Sequence, residues 1–290
     1  MARKKTARLA IKITVVLLVV FFTARLYIRA TDGFHPDHLT YQFPKDHPWQ
    51  NSPLSDEIPA IFKQELTYLG KGAQCYAFGS ADGNYVIKFF KFKHHNPSFL
   101  EKFLPMATYR KMQREKHQKK VDSAFYGYDL AWRKHQKETG LLYLHLNKTN
   151  YLNLKAIIQD KIGRKYELEL DPLVFVVQKR AKMTQEVLSQ YLQGNDLEET
   201  EKKLEELFSF FHQEHSHQIF DRDHCVPKNT GFTKDGVIRV DAGKLAHSEL
   251  IDSASDQRES ARKILLWVES RYPQHQRALE DKINFILSKT

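Results

Sequence analysis

The sequence predicts an α+β fold in two lobes behind an apolar N-terminal helix, and three patterns carry that expectation. Short β-type segments punctuated by Gly- and Asn-containing turns fill residues 62–178, helical periodicity dominates 184–288, and an uncharged run occupies Ile13–Ala24. With 290 residues, 41% hydrophobic and 28% charged, the chain has the composition of a globular protein, which excludes collagen-like, coiled-coil and disordered classes.

The first element is the N-terminal segment. Arg3, Lys4, Lys5, Arg8, Lys12, Arg25 and Arg29 hold seven of the ten excess positive charges of the chain, so residues 31–290 are close to neutral. The basic balance is therefore a property of the N-terminus, and a nucleic-acid partner is not expected. Leu9–Ile28 reaches the length needed to cross a bilayer if Lys12 and Arg25 extend their charged ends to the headgroups. A membrane partner through residues 9–28 is therefore expected. The greater charge before the run places the N-terminus in the cytoplasm and the main domain on the opposite side. A cleaved signal peptide is the alternative, although no small-x-small cleavage site comes after the run.

Residues 31–60 hold Pro36, Pro44, Pro48, Pro53 and Pro59 without apolar periodicity and read as a Pro-rich linker. Strands are then expected at Leu66–Leu69, Cys75–Phe78 and Tyr85–Phe90, the last two joined by an Asp82-Gly83-Asn84 hairpin turn. A basic stretch, Lys102–Lys120, precedes a helix at Val121–Glu138 that ends at Gly140. Leu141–Leu146, a hairpin turning at Ile162-Gly163-Arg164 and a buried strand Leu173–Gln178 complete the β-rich part. Helices at Thr184–Leu192, Leu197–Ile219, Asp256–Tyr272 and Gln274–Ser288 come next, with two short β segments around Gly236.

The residues with chemistry fall in two groups. Gly70 and Gly72 form a turn between strands, where the lack of Cβ lets the backbone approach a phosphate and aim N–H groups at it. Lys88 lies in the apolar strand Val86-Ile87-Lys88-Phe89-Phe90, a setting that a phosphate partner would explain. Later, Asp221-Arg222-Asp223 with Asn229, then Asp241-Ala242-Gly243 at the end of a strand, gather oxygen ligands suited to Mg²⁺. His212 and His215, three apart on a helix, fit zinc geometrically but read as an exposed polar face. The two cysteines, Cys75 and Cys225, exclude a disulfide-rich scaffold.

Over about residues 62–250 the order and spacing of these motifs resemble the protein-kinase-like superfamily. The resemblance implies a two-lobed protein-kinase-like fold with a small C-terminal helical lobe, over residues 61–290, with an N-lobe at about 61–180 and a C-lobe at about 181–290. It implies ATP and Mg²⁺ as cofactors. Gly70, Gly72 and Lys88 would hold phosphates, Asp223 would act as catalytic base, and Asn229 and Asp241 would hold the metal. Leu173–Arg180 would lead into the adenine-binding hinge, with Gln178 in the cofactor site. Asp221 replaces the usual His, and Asp223 stands six positions before Asn229 where the family has five. Aligning from Asn229 puts His224 at the base position instead. Glu115, Asp129 and Glu138 compete as acid partner of Lys88, with Asp129 best placed, and no Ala-Pro-Glu element comes after Asp241. Two functions stay open: phosphotransfer from Mg-ATP to an unknown acceptor, and a catalytically degenerate pseudokinase or binding module at the membrane.

Overall fold

The computed structural model describes residues 2–40, 48–92 and 107–289. The central part of the linker and the start of the basic stretch, Lys102 included, lie outside the described residues. In chain order the elements are α1 (Ala2–Ala30), a 3-10 turn (Pro36–Leu39), α2 (Glu57–Phe62), β1 (Glu65–Lys71), β2 (Cys75–Ser80) and β3 (Tyr85–Phe90). Then come α3 (Ala107–Lys134), α4 (Gln136–Thr139), β4 (Leu141–His145), β5 (Lys155–Gln159), β6 (Lys165–Glu169), β7 (Phe175–Lys179) and β8 (Lys182–Met183). The remainder is α5 (Thr184–Gln193), α6 (Leu197–Ser216), β9 (Ile219–Asp221), α7 (Val226–Asn229), β10 (Thr230–Thr233), β11 (Gly236–Arg239), β12 (Leu245–His247), α8 (Ser253–Arg271) and α9 (Gln276–Lys289).

These elements form a mixed α+β fold in two compact units. The first holds residues 1–45, 56–96 and 148–175, and the second 46–55, 97–147 and 176–290. The division differs from the expected lobe boundary near residue 180. The helix after the basic stretch and the strand next to it in sequence belong to the second unit, because the apolar stripe Val121, Phe125 and Tyr128 of α3 is buried there.

In the first unit the strands run in the order β3-β2-β1-β5-β6. β1–β2, β2–β3 and β5–β6 are antiparallel and β1–β5 is parallel. The Asp82-Gly83 turn forms as expected. Gly83 takes φ +76°, and the Asp82 carboxylate accepts the Asn84 N–H and the Ser80 hydroxyl. The core is aromatic: Phe78 meets Phe34, Tyr68 and Phe89 at ring-centroid distances of 5.5–5.8 Å, edge to face.

The segment after α1 corrects the linker expectation. Thr31, Phe34 and Leu39 are buried, and Thr40 bridges to Leu173. Pro36 opens a 3-10 turn rather than an extended spacer, which brings Phe34 and Leu39 inward together. Asp32 fastens the same segment by accepting from the Tyr68 hydroxyl (3.0 Å) and the Lys161 ammonium (3.1 Å). Burial alone would raise the Asp32 carboxyl, but these two donors together with the charge of Lys71 hold it below its ordinary value. Further along, Ser52 and Asn51 hydrogen-bond the backbone at Leu144 and Asn147 inside the second unit.

In the second unit, α5, α6, α8 and α9 bury a common core that includes Leu188, Leu204, Phe208, Ile264 and Ile283. Beside it, β10 and β11 form a hairpin flanked by β8, and β9 pairs antiparallel with β12. The helix expected at Val121–Glu138 starts earlier and breaks at His135, and Gly140 ends α4 in the left-handed conformation at φ +62°. Replacement of Phe34 by Ala empties the space between Tyr76 and Phe78 and is expected to lower stability by about 3–5 kcal/mol, measured by urea unfolding of the detergent-solubilised chain.

Candidate functional site

A buried cation organises the oxygen-rich loops of the second unit. Arg239, at the end of β11, is 3% exposed. Its guanidinium donates to both carboxylate oxygens of Glu214 on α6 and, at 2.9 Å, to Asp221 at the end of β9. Burial alone would raise the Glu214 carboxyl, yet Arg239 and a hydrogen bond from His135 hold it below its ordinary value of 4.5. The same two acids keep Arg239 charged against the burial that opposes it.

Asp221 passes this order to the adjoining loop. Its Oδ1 accepts the Asp223 N–H at 2.9 Å, and its Oδ2 accepts the Asn229 amide at 3.0 Å. The loop is closed by α7, where Val226 and Pro227 are buried and the Thr230 hydroxyl donates to the Val226 carbonyl. Asp221 is therefore a structural acid rather than a solvent-facing one.

Asn229 joins the predicted metal and base residues. Its Nδ2 donates to Asp221 and, at 3.4 Å, faces Asp223 Oδ2, so Oδ1 is turned away from both carboxylates. Its backbone carbonyl accepts the N–H groups of Val240 (2.7 Å) and Asp241 (3.2 Å). Asp223, Asn229 and Asp241 are thus brought together. Asp223 and Asp241 are exposed, and Asp241 Oδ1 accepts the Gly243 N–H at 3.0 Å, leaving Oδ2 outside that bond. The Asn229 amide oxygen and the exposed Asp241 carboxylate are donor types suited to a hard dication. α3 supports the third member by close approach: a Cβ at Gly127 would lie 2.2 Å from the Ala242 carbonyl oxygen.

His224, the other residue at the base position, is tied down by its Nε2, 2.6 Å from Asp256. His215 holds the other Asp256 oxygen at 2.8 Å and Ser253 at 2.7 Å. The expected exposed polar face over 212–217 needs correction as well, since Glu214 within it is buried. Asp129 pairs with Arg133 one turn along its own helix.

The predicted phosphate group lies in the first unit. Gly70 is in β1 next to a bulge, and Gly72 comes just after that strand, its N–H donating to Cys75 O at 3.0 Å. A Cβ at either glycine would meet nothing within 4 Å, so the fold itself leaves these positions open. Lys88 is 8% exposed on β3, opposite Ala77 and on the sheet face away from Ile87 and Phe89. Lys91 is a cation that sequence reasoning missed. Its ammonium reaches the Gly72 carbonyl and lies 4.6 Å from the Tyr76 ring centroid, with burial holding it below its ordinary value.

Gln178 is a correction. Its side chain is 1% exposed, and Nε2 donates to the carbonyls of Thr139 and Arg239, so the side chain braces α4 against β11 instead of facing a ligand. Among the described residues Cys75 and Cys225 form no disulfide. Arg239, Glu214 and His135 were also not anticipated from the sequence. A signal was present for Arg239: a charge between apolar residues in Val237-Ile238-Arg239-Val240, the same argument that singled out Lys88.

No family model matches this chain, and no curated protein matches it. Among solved structures, a 2.2 Å crystal structure of WbdD is similar at 12% identity over 75% of this chain and 43% of its own, with a TM-score of 0.39. The bifunctional kinase-methyltransferase WbdD is matched at 14% identity over 86% of this chain and 47% of its own, with a TM-score of 0.36. The Rv3197–erythromycin complex from Mycobacterium tuberculosis is matched at 12% identity over 72% and 55%, with a TM-score of 0.32. The chain spans about half the length of these proteins or less, and TM-scores below 0.5 do not establish a common fold.

Arg239→Met leaves Glu214 and Asp221 buried without their cation, and is expected to lower stability by about 3–5 kcal/mol in denaturant melts. The depressed Glu214 carboxyl adds stability that is complete above its ordinary value of 4.5 and is lost as pH falls toward its lower native value. A Glu214→Gln protein should therefore lose less stability than the natural chain when melts are compared at falling pH below 4.5.

Proposed function

We propose that this chain is a membrane-anchored, kinase-like phosphotransferase that moves the γ-phosphoryl group of Mg-ATP to an acceptor hydroxyl. The observation that carries the proposal is Asn229: its amide faces Asp223 while its backbone holds Asp241. In the kinase arrangement an acceptor-orienting Asp, a metal-binding Asn and a metal-binding Asp occupy one site. The fixing of His224 by Asp256 supports Asp223 as the acceptor-facing residue. The residues fit Mg²⁺ by donor type, with Asn229 Oδ1 and the Asp241 carboxylate as its ligands. When bound, the ion neutralises phosphate charge.

The remaining roles belong to the chain's own groups. Asp223 accepts the hydrogen of the attacking hydroxyl. The acceptor oxygen forms its bond to the γ-phosphorus as the bond to the ADP oxygen breaks, and the proton leaves through Asp223.

Anchoring is supported by α1, whose Ile11–Ala30 stretch is long and apolar enough to cross a bilayer and is not buried by the protein. A signal sequence passes the same test of length and composition. Support for the uncleaved form comes from Tyr27, near the end of α1. Its hydroxyl accepts from Arg164, 3.1 Å away, so helix and domain are joined without a slack spacer. The proposed orientation puts the N-terminus in the cytoplasm and the domain across the membrane.

Mg-ATP should raise the melting temperature of the full chain in detergent, and Asp241→Asn should reduce that rise and abolish phosphate transfer in an acceptor screen. Gly72→Ala, which nothing in the fold opposes, should leave the melting temperature of the free protein unchanged. No Mg-ATP shift in a folded sample would remove the proposal. A shift without turnover, in Asp223→Asn and natural chain alike, would make the chain a nucleotide-binding pseudokinase.

A further inference from the structure

Among the described residues of the second unit, one buried nitrogen has no hydrogen-bond partner. His135, in the break between α3 and α4, is 1% exposed. Its Nε2 lies 3.1 Å from Glu214, a carboxylate that Arg239 keeps ionised and that can only accept. Nε2 therefore carries a proton. Among the described residues, no hydrogen-bond partner reaches Nδ1. A buried polar atom in this condition needs an explanation, because native interiors satisfy nearly all such atoms.

The surroundings supply one. Among the described residues, His135, Glu138 and His217 offer donor atoms within 4.8 Å of one another. Glu138 Oε2 is 3.5 Å from His135 Nδ1. Two ligands of a tetrahedral zinc ion, each about 2.0–2.1 Å from the metal, lie about 3.3–3.4 Å apart. The observed spacing is thus near the one a shared metal requires. His217, at the end of α6, is exposed and able to close the remaining distance by a rotamer change. The other Glu138 oxygen faces the Gln213 amide at 3.4 Å, which orients this carboxylate. The Glu214 bond to the far side of the imidazole is the carboxylate–histidine–metal relation that fixes a ligand's tautomer and raises its basicity.

We infer that His135 Nδ1, Glu138 and His217 form a binding site for a zinc-class divalent ion, with one coordination position left to water. Two imidazoles and a carboxylate are ligands of zinc rather than of magnesium or calcium. The site is separate from the oxygen set at Asn229 and Asp241 and stands independently of the phosphotransfer proposal. It would pin the end of α6 to the α3–α4 break, and it reaches the buried Arg239 through the shared Glu214.

The test uses the full chain in detergent, stripped with chelator and titrated with zinc chloride by calorimetry, with cobalt(II) as a spectroscopic substitute. The expected result is one zinc per chain and visible cobalt bands of tetrahedral or five-coordinate type. His217→Ala and Glu138→Gln, both outside the core, should each weaken zinc binding by about tenfold to a hundredfold or more, the loss that even outer-shell partners produce. His212→Ala, an exposed histidine of the same helix, and Asp241→Asn should both bind zinc like the natural chain. The inference is overturned if the natural chain binds no zinc, if His217→Ala binds it equally well, or if the loss tracks Asp241→Asn.

Discussion

The guanidinium of Arg239 is the point on which the second unit turns. A full charge inside a protein is tolerated only when nearby opposite charge and hydrogen bonds replace the water it has lost. Here two carboxylates do so, and they come from different elements: Glu214 from α6 and Asp221 from β9. A helix, a strand end and a hairpin are therefore fixed relative to one another by one planar group. Lysine would supply the charge without the fork that reaches both acids.

The arrangement of the loops depends on that anchoring. Asp221 orients Asp223 through its backbone and Asn229 through its side chain, and Asn229 orients Asp241 through its own carbonyl. Each step is a hydrogen bond with defined direction, so an exposed set of oxygen donors is held by a buried one. Gly127 adds a steric constraint from behind, since α3 can lie so close to Ala242 only where a side chain is missing. The exposed acids need not stabilise the fold, because the buried acids beneath them already do. That separation leaves Asp223 and Asp241 available for chemistry.

The first unit is built by other means. Its core is a chain of edge-to-face aromatic contacts, and the residues just after α1 contribute to it through Phe34. Asp32 takes up a left-handed backbone conformation, φ +53°, and accepts from two side chains of that unit. The turn that ends the N-terminal helix is thus a folded part of the domain. Pro36 acts there as a turn former and does not keep the segment extended, a choice that composition alone does not reveal.

Much of the local structure was legible because it is set by short-range rules. Gly83 and Gly163 mark turns, Gly140 ends a helix, and the apolar spacing in α6 and α9 sets which faces are buried. Asp223, Asn229 and Asp241 were named together through a family resemblance in motif order, and hydrogen bonds through Asn229 link them. Gln178 was misplaced because a strand position does not reveal whether a side chain faces a ligand or a neighbouring backbone carbonyl. Arg239, Glu214 and His135 lie 239 − 135 = 104 residues apart at the extremes, and no local pattern links them. Sequence determines which residues are turn-prone, apolar or charged, since those are properties of side chains and their near neighbours. Which buried charge meets which, and which nitrogen is left without a partner, is decided only when distant segments are brought within hydrogen-bonding distance.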